Sequence, residues 1–342
     1  MSKPIVFHET DLFRPHNDPD DHYDLVCQFA LAKAGLTDLH GVLLDYPPSQ
    51  AYGDPDISAV MQLCEMTGLS VPMGIGQNGD SLSYGSGLTL LKHVLEKAER
   101  PVSLFIVGSS RDISEAGKLW PSLFREKVGA IYLNAGSGTD TPRLEYNVWL
   151  DPASFAGIFM LPCPIYWMPC FDSMERENTV GRHGTYWHFQ QKRLFESLPA
   201  RLLNYFLSML SRQQDTGWLS SLDKQNDPLL QDHFGEEWRN MWCTAGFLHA
   251  AGLSVTRSGD LVPLGESPSD EVFSFQPVSV SCDQDGHARW READESETRF
   301  LFTVEDTAVY QEAMTRALIR LLSLPDYRPS PSPHVGAGRS YP

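Results

Sequence analysis

The chain has no Cys-x-x-Cys pair, no internal repeat, no excess of basic residues and no apolar run near the roughly 20 residues of a membrane span. Each absence excludes something. Cys27, Cys64, Cys163, Cys170, Cys243 and Cys282 are scattered, mostly inside apolar stretches, so neither a disulfide frame nor a zinc ribbon is indicated. They read as reduced, buried thiols. With 27 Lys+Arg against 44 Asp+Glu the formal charge is −17, which repels a phosphate backbone and disfavours nucleic acid and anionic membrane surfaces as partners. The first residues, Met1-Ser2-Lys3-Pro4, lead into a strand-like run without an apolar core of signal-peptide length. A cytoplasmic location is the expectation.

What is present is material for a large core: 342 residues, 42% hydrophobic and 11% aromatic. The first 170 residues repeat one pattern, a short apolar run followed by a helix-like stretch. The runs are Ile5–Glu9, Leu39–Leu44, Ser70–Ile75, Val102–Val107, Ala130–Leu133 and Ile165–Pro169. Helical patterns fall at Asp24–Ala34, Ile57–Thr67, Leu88–Ala98, Ser110–Leu119 and Pro152–Phe159. This order predicts an α/β fold with an open, mainly parallel sheet flanked by helices. After Asp172 the pattern predicts helices over His183–Leu210, Glu236–Ala251 and Asp306–Leu322, with a small β region over Leu253–Val304. Residues 1–328 are expected to form one domain (core 5–172, lid and C-terminal part 173–328), and 329–342, rich in Pro, Ser and Gly, a disordered tail.

Ligands of open parallel sheets bind at the carboxyl ends of the strands. Those ends here carry Asp11, Asp45, Gly76-Gln77-Asn78, Gly108-Ser109-Ser110, Asn134-Ala135-Gly136 and Cys170-Phe171-Asp172. The richest is the first, where Asp11, Asp18, Asp20 and Asp21 fall within eleven residues. Two carboxylates about 4 Å apart repel by about 4 kcal/mol at an effective dielectric of 20. Two readings stand. The cluster is a solvated turn whose Asp20 and Asp21 suit a helix N-terminus, or it holds a hard cation such as Ca²⁺ or Mg²⁺.

A second motif follows the fifth run: Gly138-Thr139-Asp140-Thr141-Pro142-Arg143-Leu144-Glu145-Tyr146-Asn147-Val148-Trp149-Leu150-Asp151-Pro152. Together with Asp11…Asp20-Asp21 it resembles the inosine–uridine nucleoside hydrolase family over residues 5–172. That resemblance implies hydrolysis of an N-ribosidic bond with a Ca²⁺ ion held by the aspartate loop, and a small nucleoside or riboside as partner. It implies Asp11 as metal ligand and water-activating base, Asp21 and the Val107 carbonyl as further ligands, and Asp20, Glu145 and Asn147 as holders of sugar hydroxyls. A homo-oligomer remains open. The chain departs from the family in four places. Eight residues separate Asp11 from Asp20 where the family has three, and Thr139 replaces an asparagine. Asp45 or Pro48 stands for an asparagine after the second strand, and Asn240-Met241-Trp242-Cys243-Thr244 replaces a late His-Asp pair that completes the metal shell.

Trp242 is read either as a stacking surface for a base or as a core residue. His183 and His188 are read as proton donors to a leaving base or as structural histidines. Gly108-Ser109-Ser110 lacks the frame of a serine nucleophile, and Gly74–Gly79 lacks the third glycine of a dinucleotide loop. The expectation is a metal-assisted N-glycosidic hydrolase. The alternatives are a nucleoside- or sugar-binding protein of the same fold that lost catalysis, and a phosphohydrolase for which Arg14 is the one basic residue beside the cluster.

Overall fold

A computed structural model describes residues 3–13, 19–46, 54–77, 85–211, 218–294, 297–325 and 327. Asp18, Arg14, Pro48, Asn78 and the tail 329–342 lie outside the described residues. The six apolar runs form six parallel strands: β1 Ile5–Thr10, β2 Asp38–Leu44, β3 Met73–Ile75, β4 Val102–Ile106, β5 Val128–Asn134 and β6 Ile165–Met168. β1, β4 and β5 are buried on both faces, which is why they read as apolar without alternation. Helices Pro19–Lys33, Pro55–Thr67, Ser86–Lys97, Arg111–Leu119 and Pro152–Ile158 alternate with them.

Beyond β6 the chain departs from the expected helices. His183–Leu210 opens with β7, Trp187–Gln190, before helices Lys192–Phe195 and Ala200–Leu210. Glu236–Ala251 likewise begins with β8, Trp238–Met241, and only Thr244–Ala250 is helical. The physical reason is a period of two: Trp187 and Phe189 are buried while His188 and Gln190 are half-buried, and aromatic residues favour strands. β7 and β8 pair antiparallel, Trp187 opposite Met241 and Gln190 opposite Trp238. The small β region comprises β9 Leu253–Val255, β10 Leu261–Pro263, β11 Phe273–Cys282, β12 Ala288–Glu292 and β13 Arg299–Val304, followed by helix Tyr310–Ser323.

The main sheet runs β12-β11-β13-β6-β5-β4-β1-β2-β3. β13 lies parallel to β6, and β11 and β12 extend the sheet antiparallel. Arg299 fixes this junction by donating to the carbonyls of Phe159 (2.8 Å), Leu161 (2.9 Å) and Cys163 (3.0 Å), just past the end of helix Pro152–Ile158. Hydrophobic side chains pack on both faces of the sheet. No helix among the described residues is long and apolar enough to cross a membrane. All six cysteines are free; four are buried, and Cys64 and Cys282 are half-buried.

Strand order reverses between β1 and β4, with β2 and β3 to one side and β5 and β6 to the other. A crevice opens at the carboxyl ends there. The segment Gly184–Tyr186 runs beside the end of β6, Thr185 N bonding Pro169 O (2.8 Å) and Tyr186 N bonding Cys170 O (3.2 Å). Only glycine permits this approach, since a Cβ at Gly184 would stand 2.3 Å from Asp172 N and 2.6 Å from Phe171 C. Gly184→Ala should therefore cost about 1–3 kcal/mol through backbone displacement. Chemical denaturation would show it as a lower midpoint at an unchanged slope.

Candidate functional site

The crevice is a pocket of about 320 Å³ lined by Asp20, Asp21, Val107, Asn134, Glu145, Tyr146, Asn147, Cys170, Phe171, Met174, Glu177 and Trp242. Six residues expected from sequence converge on it: Asp20, Asp21, Val107, Glu145, Asn147 and Trp242. Asp11 is buried directly behind, tied to Asp21 through its backbone N–H. His183 is not brought there. It packs edge-on against Trp290, ring centroids 4.9 Å apart, and lines a different pocket over β11 and β13.

The acidic rim is built by β1 and the helix that follows. Asp20 and Asp21 occupy the first turn of helix Pro19–Lys33, where the positive end of the helix favours carboxylates. Asp21 is buried, its Oδ2 accepting from Thr10 Oγ1 at 2.6 Å and from Asp11 N at 3.2 Å. Leu12, also buried, takes the left-handed φ of 43° as the chain turns off β1. A non-glycine residue in that region costs about 1–2 kcal/mol.

Asp24, one turn along the helix, was not anticipated. Carboxylate oxygens of Asp20, Asp21 and Asp24 all lie within 4.8 Å of one another. The spacing i, i+1, i+4 was visible in the sequence, where Asp24 only opens the helical pattern Asp24–Ala34. In the fold it is fully buried. Hard oxygen donors at this separation suit a divalent cation, whose charge would offset the mutual repulsion. The grouping differs from the expected pair Asp11 and Asp21 with the Val107 carbonyl.

The opposite rim is held by side chains bonded to backbone. Glu145 caps the short helix Tyr146–Leu150, accepting from Asn147 N (3.0 Å) and Val148 N (3.4 Å), and also from Gly136 N (2.8 Å). Burial raises its carboxyl above the usual range, and these three amides oppose the shift. Asn147 Nδ2 donates to Val107 O (2.9 Å) and Asn134 O (3.2 Å), tying β4 to β5. Asp45 accepts from Ser109 N (3.1 Å) and Glu9 from Gly108 N (3.3 Å), so these acids fasten the loop after β4 rather than line the pocket. A Cβ at Gly108 would stand 3.0 Å from Glu9 Oε1 and 3.3 Å from Asp11 Cβ, so glycine lets the two rims close up. Burial, then the charge of Asp45, holds Glu9 well above its ordinary pKa.

The remaining wall is aromatic and soft. Trp242 is half-buried and meets Phe171 edge-on (5.8 Å, 88°) and Tyr186 at 5.7 Å. Trp242 packs against a small aromatic cluster and also lines the pocket. His188 bonds Tyr186 Oη through Nδ1 (2.9 Å), and burial lowers its pKa. Strand β8 carries Trp242 and Cys243 to this wall. Cys243 is buried, its Sγ 3.2 Å from Asn134 Oδ1, and Cys170 Sγ reaches the same oxygen at 3.5 Å.

No protein-family profile and no curated protein sequence matches the chain. Solved structures do. The purine-preferring ribonucleoside hydrolase from Gardnerella vaginalis superposes with a TM-score of 0.57 at 13% identity, covering 94% of this chain and 99% of the other. A plant nucleoside hydrolase gives 0.54 at 15% identity, with 94% and 99% covered. The type III effector protein XopQ complexed with adenosine diphosphate ribose gives 0.53 at 13% identity, with 94% and 95% covered. The chain has the nucleoside-hydrolase-like α/β fold.

Proposed function

We propose that this protein hydrolyses the N-glycosidic bond of a ribonucleoside or related riboside with the help of a divalent cation, Ca²⁺ by the family resemblance. The observation that carries the reading is one juxtaposition. Asp20 and Asp21 line the pocket with Asp24 grouped beside them within 4.8 Å, and Phe171, Met174 and Trp242 form another wall. A sugar beside the carboxylates would place its base against the aromatic wall.

The chain's own groups supply most of the chemistry. Cleaving an N-ribosidic bond develops positive charge on the sugar, which the carboxylates of Asp20 and Asp21 would stabilise. Asp11, buried behind Asp21, would take the proton of the attacking water. Asp20 and Asn147 face the space where hydroxyls would lie, while Glu145 positions Asn147 by capping its helix. When bound, a divalent cation orients hydroxyls and lowers the pKa of water. Trp242 and Phe171 would exclude solvent around the base. Burial lowers the pKa of His188, whose ring bonds Tyr186 Oη.

A second reading, a riboside-binding protein without turnover, is favoured by Glu145 and Asn147, whose side chains are engaged with backbone. It also accords with the neighbour described with adenosine diphosphate ribose bound.

Reducing-sugar release from a nucleoside panel separates the two. Turnover in the wild type that falls about 10²–10⁴-fold in Asp11→Ala supports hydrolysis with Asp11 as base. Calorimetric binding of ribosides without sugar release supports the second reading. Saturating Ca²⁺, at about 100 times its dissociation constant, should stabilise the wild type by about 2.7 kcal/mol. Asp24→Asn should abolish that gain in thermal unfolding, and an undiminished gain would remove Asp24 from the site. Glu145→Ala should cost about 0.5–2 kcal/mol of stability with or without ligand, as loss of a helix cap does. Denaturant unfolding in both conditions tests this.

A further inference from the structure

Among the described residues that line the pocket, none is well suited to protonate a leaving base. No Lys, Arg or His is among them. The two histidines nominated for that task lie elsewhere: His183 lines the pocket over β11 and β13, and His188 bonds Tyr186 Oη. Glu145 has both oxygens committed to three backbone N–H groups. The Cys170 thiol is turned to Asn134 Oδ1, and Glu177 is ion-paired with Arg143. Tyr146 lines the pocket but is 36% exposed, and a phenol is an intrinsically weak acid. A base that must be protonated to leave therefore forgoes an assistance worth about 10²–10⁴-fold in rate.

The sign of the charge around the pocket points the same way. Glu177 lines it on the segment that also carries Met174, and its partner Arg143, with a side chain 59% exposed, does not line it. A divalent ion would offset two of the three charges of Asp20, Asp21 and Asp24, so the field there stays negative. Phe171 and Trp242 complete the wall, and aromatic faces attract cations. We propose that the substrate is a riboside whose aglycone carries a permanent positive charge, an N-ribosyl pyridinium or a similar quaternised ring, and that Glu177 and Trp242 select it. The inference rests on the N-glycosidic hydrolysis of the proposed function and names its substrate class. The C1′–N bond breaks with its electron pair passing to the ring nitrogen, so the aglycone departs as a neutral heteroarene and needs no acid. Water forms the new C1′–O bond, and its proton passes to Asp11 and then to solvent.

The test follows sugar release by the full chain, with Ca²⁺ present, from nicotinamide riboside, uridine and inosine. The reduced dihydropyridine form of nicotinamide riboside serves as an uncharged competitor of nearly the same shape. The value of kcat/KM should be at least about 10²-fold higher for nicotinamide riboside than for either neutral nucleoside, which lacks a proton donor in this pocket. The reduced form should inhibit with a constant at least about tenfold above the KM of the charged one. Glu177→Gln should raise KM for nicotinamide riboside about tenfold more than KM for uridine, the scale of one partly solvated charge contact. Should that protein misfold, Trp242→Leu carries the same comparison with the same expected bias. Equal binding of the charged and reduced forms overturns the inference, as does a variant that shifts both substrates alike. Release from uridine or inosine at an equal or higher kcat/KM overturns it and leaves hydrolysis standing. If no riboside releases sugar, hydrolysis and the inference built on it fall together.

Discussion

Like charges cannot be crowded in a dry place without something to offset them, and the rim after the first strand is organised around that constraint. Asp21 and Asp24 are buried, and Asp20 sits beside them within 4.8 Å. The helix N-terminus and the donors Thr10 and Asp11 supply part of the compensation. The neighbouring acids Glu9 and Asp45 are turned to a different use, accepting from the backbone of Gly108 and Ser109. The ends of β1 and β2 thus separate their carboxylates into those that fasten a loop and those that gather beside the pocket.

The pocket depends equally on chain from far away in sequence. The β7–β8 ribbon, residues 187–190 paired with 238–241, carries Trp242 and Cys243 to a wall begun by Cys170 and Phe171 at the end of β6. Asn134 joins the two. Its amide donates to Met168 O and Thr185 Oγ1, and its carbonyl oxygen lies within reach of both thiols. A change at this one side chain would be felt on three elements at once.

Much of this was legible in the sequence because parallel strands buried on both faces leave uninterrupted apolar runs, as β4 and β5 do. Their carboxyl ends then nominated Asp11 and Asn134 without reference to structure, whereas Val107, Glu145 and Asn147 were named by the resemblance to the nucleoside hydrolase family. The ribbon was hidden because Trp187 and Phe189 alternate over only four residues, within a longer stretch whose aromatics also fit a helix. Asp24 was obscured by its helical surroundings. The neighbourhood of Cys243 was not readable, since its partner Asn134 lies 109 residues away along the chain and only the folded sheet brings them together. His183 was nominated because its segment falls where the resembled family has lid helices, whereas here the chain turns it onto Trp290.

The position of β13 has a consequence for the order in which the molecule can be assembled. Residues 299–304 insert beside β6, between it and β11, and Arg299 closes the junction on carbonyls of residues 159–163. During synthesis from the N-terminus, β6 emerges more than 130 residues before its partner. Until then its outer edge presents unpaired backbone groups, the kind of edge that invites pairing with another chain. Non-local pairing of this sort also slows folding, because loop closure precedes the contacts that reward it. The nascent protein therefore passes through an interval in which the half that bears the acidic rim is formed, but the sheet that supports it is still open to association.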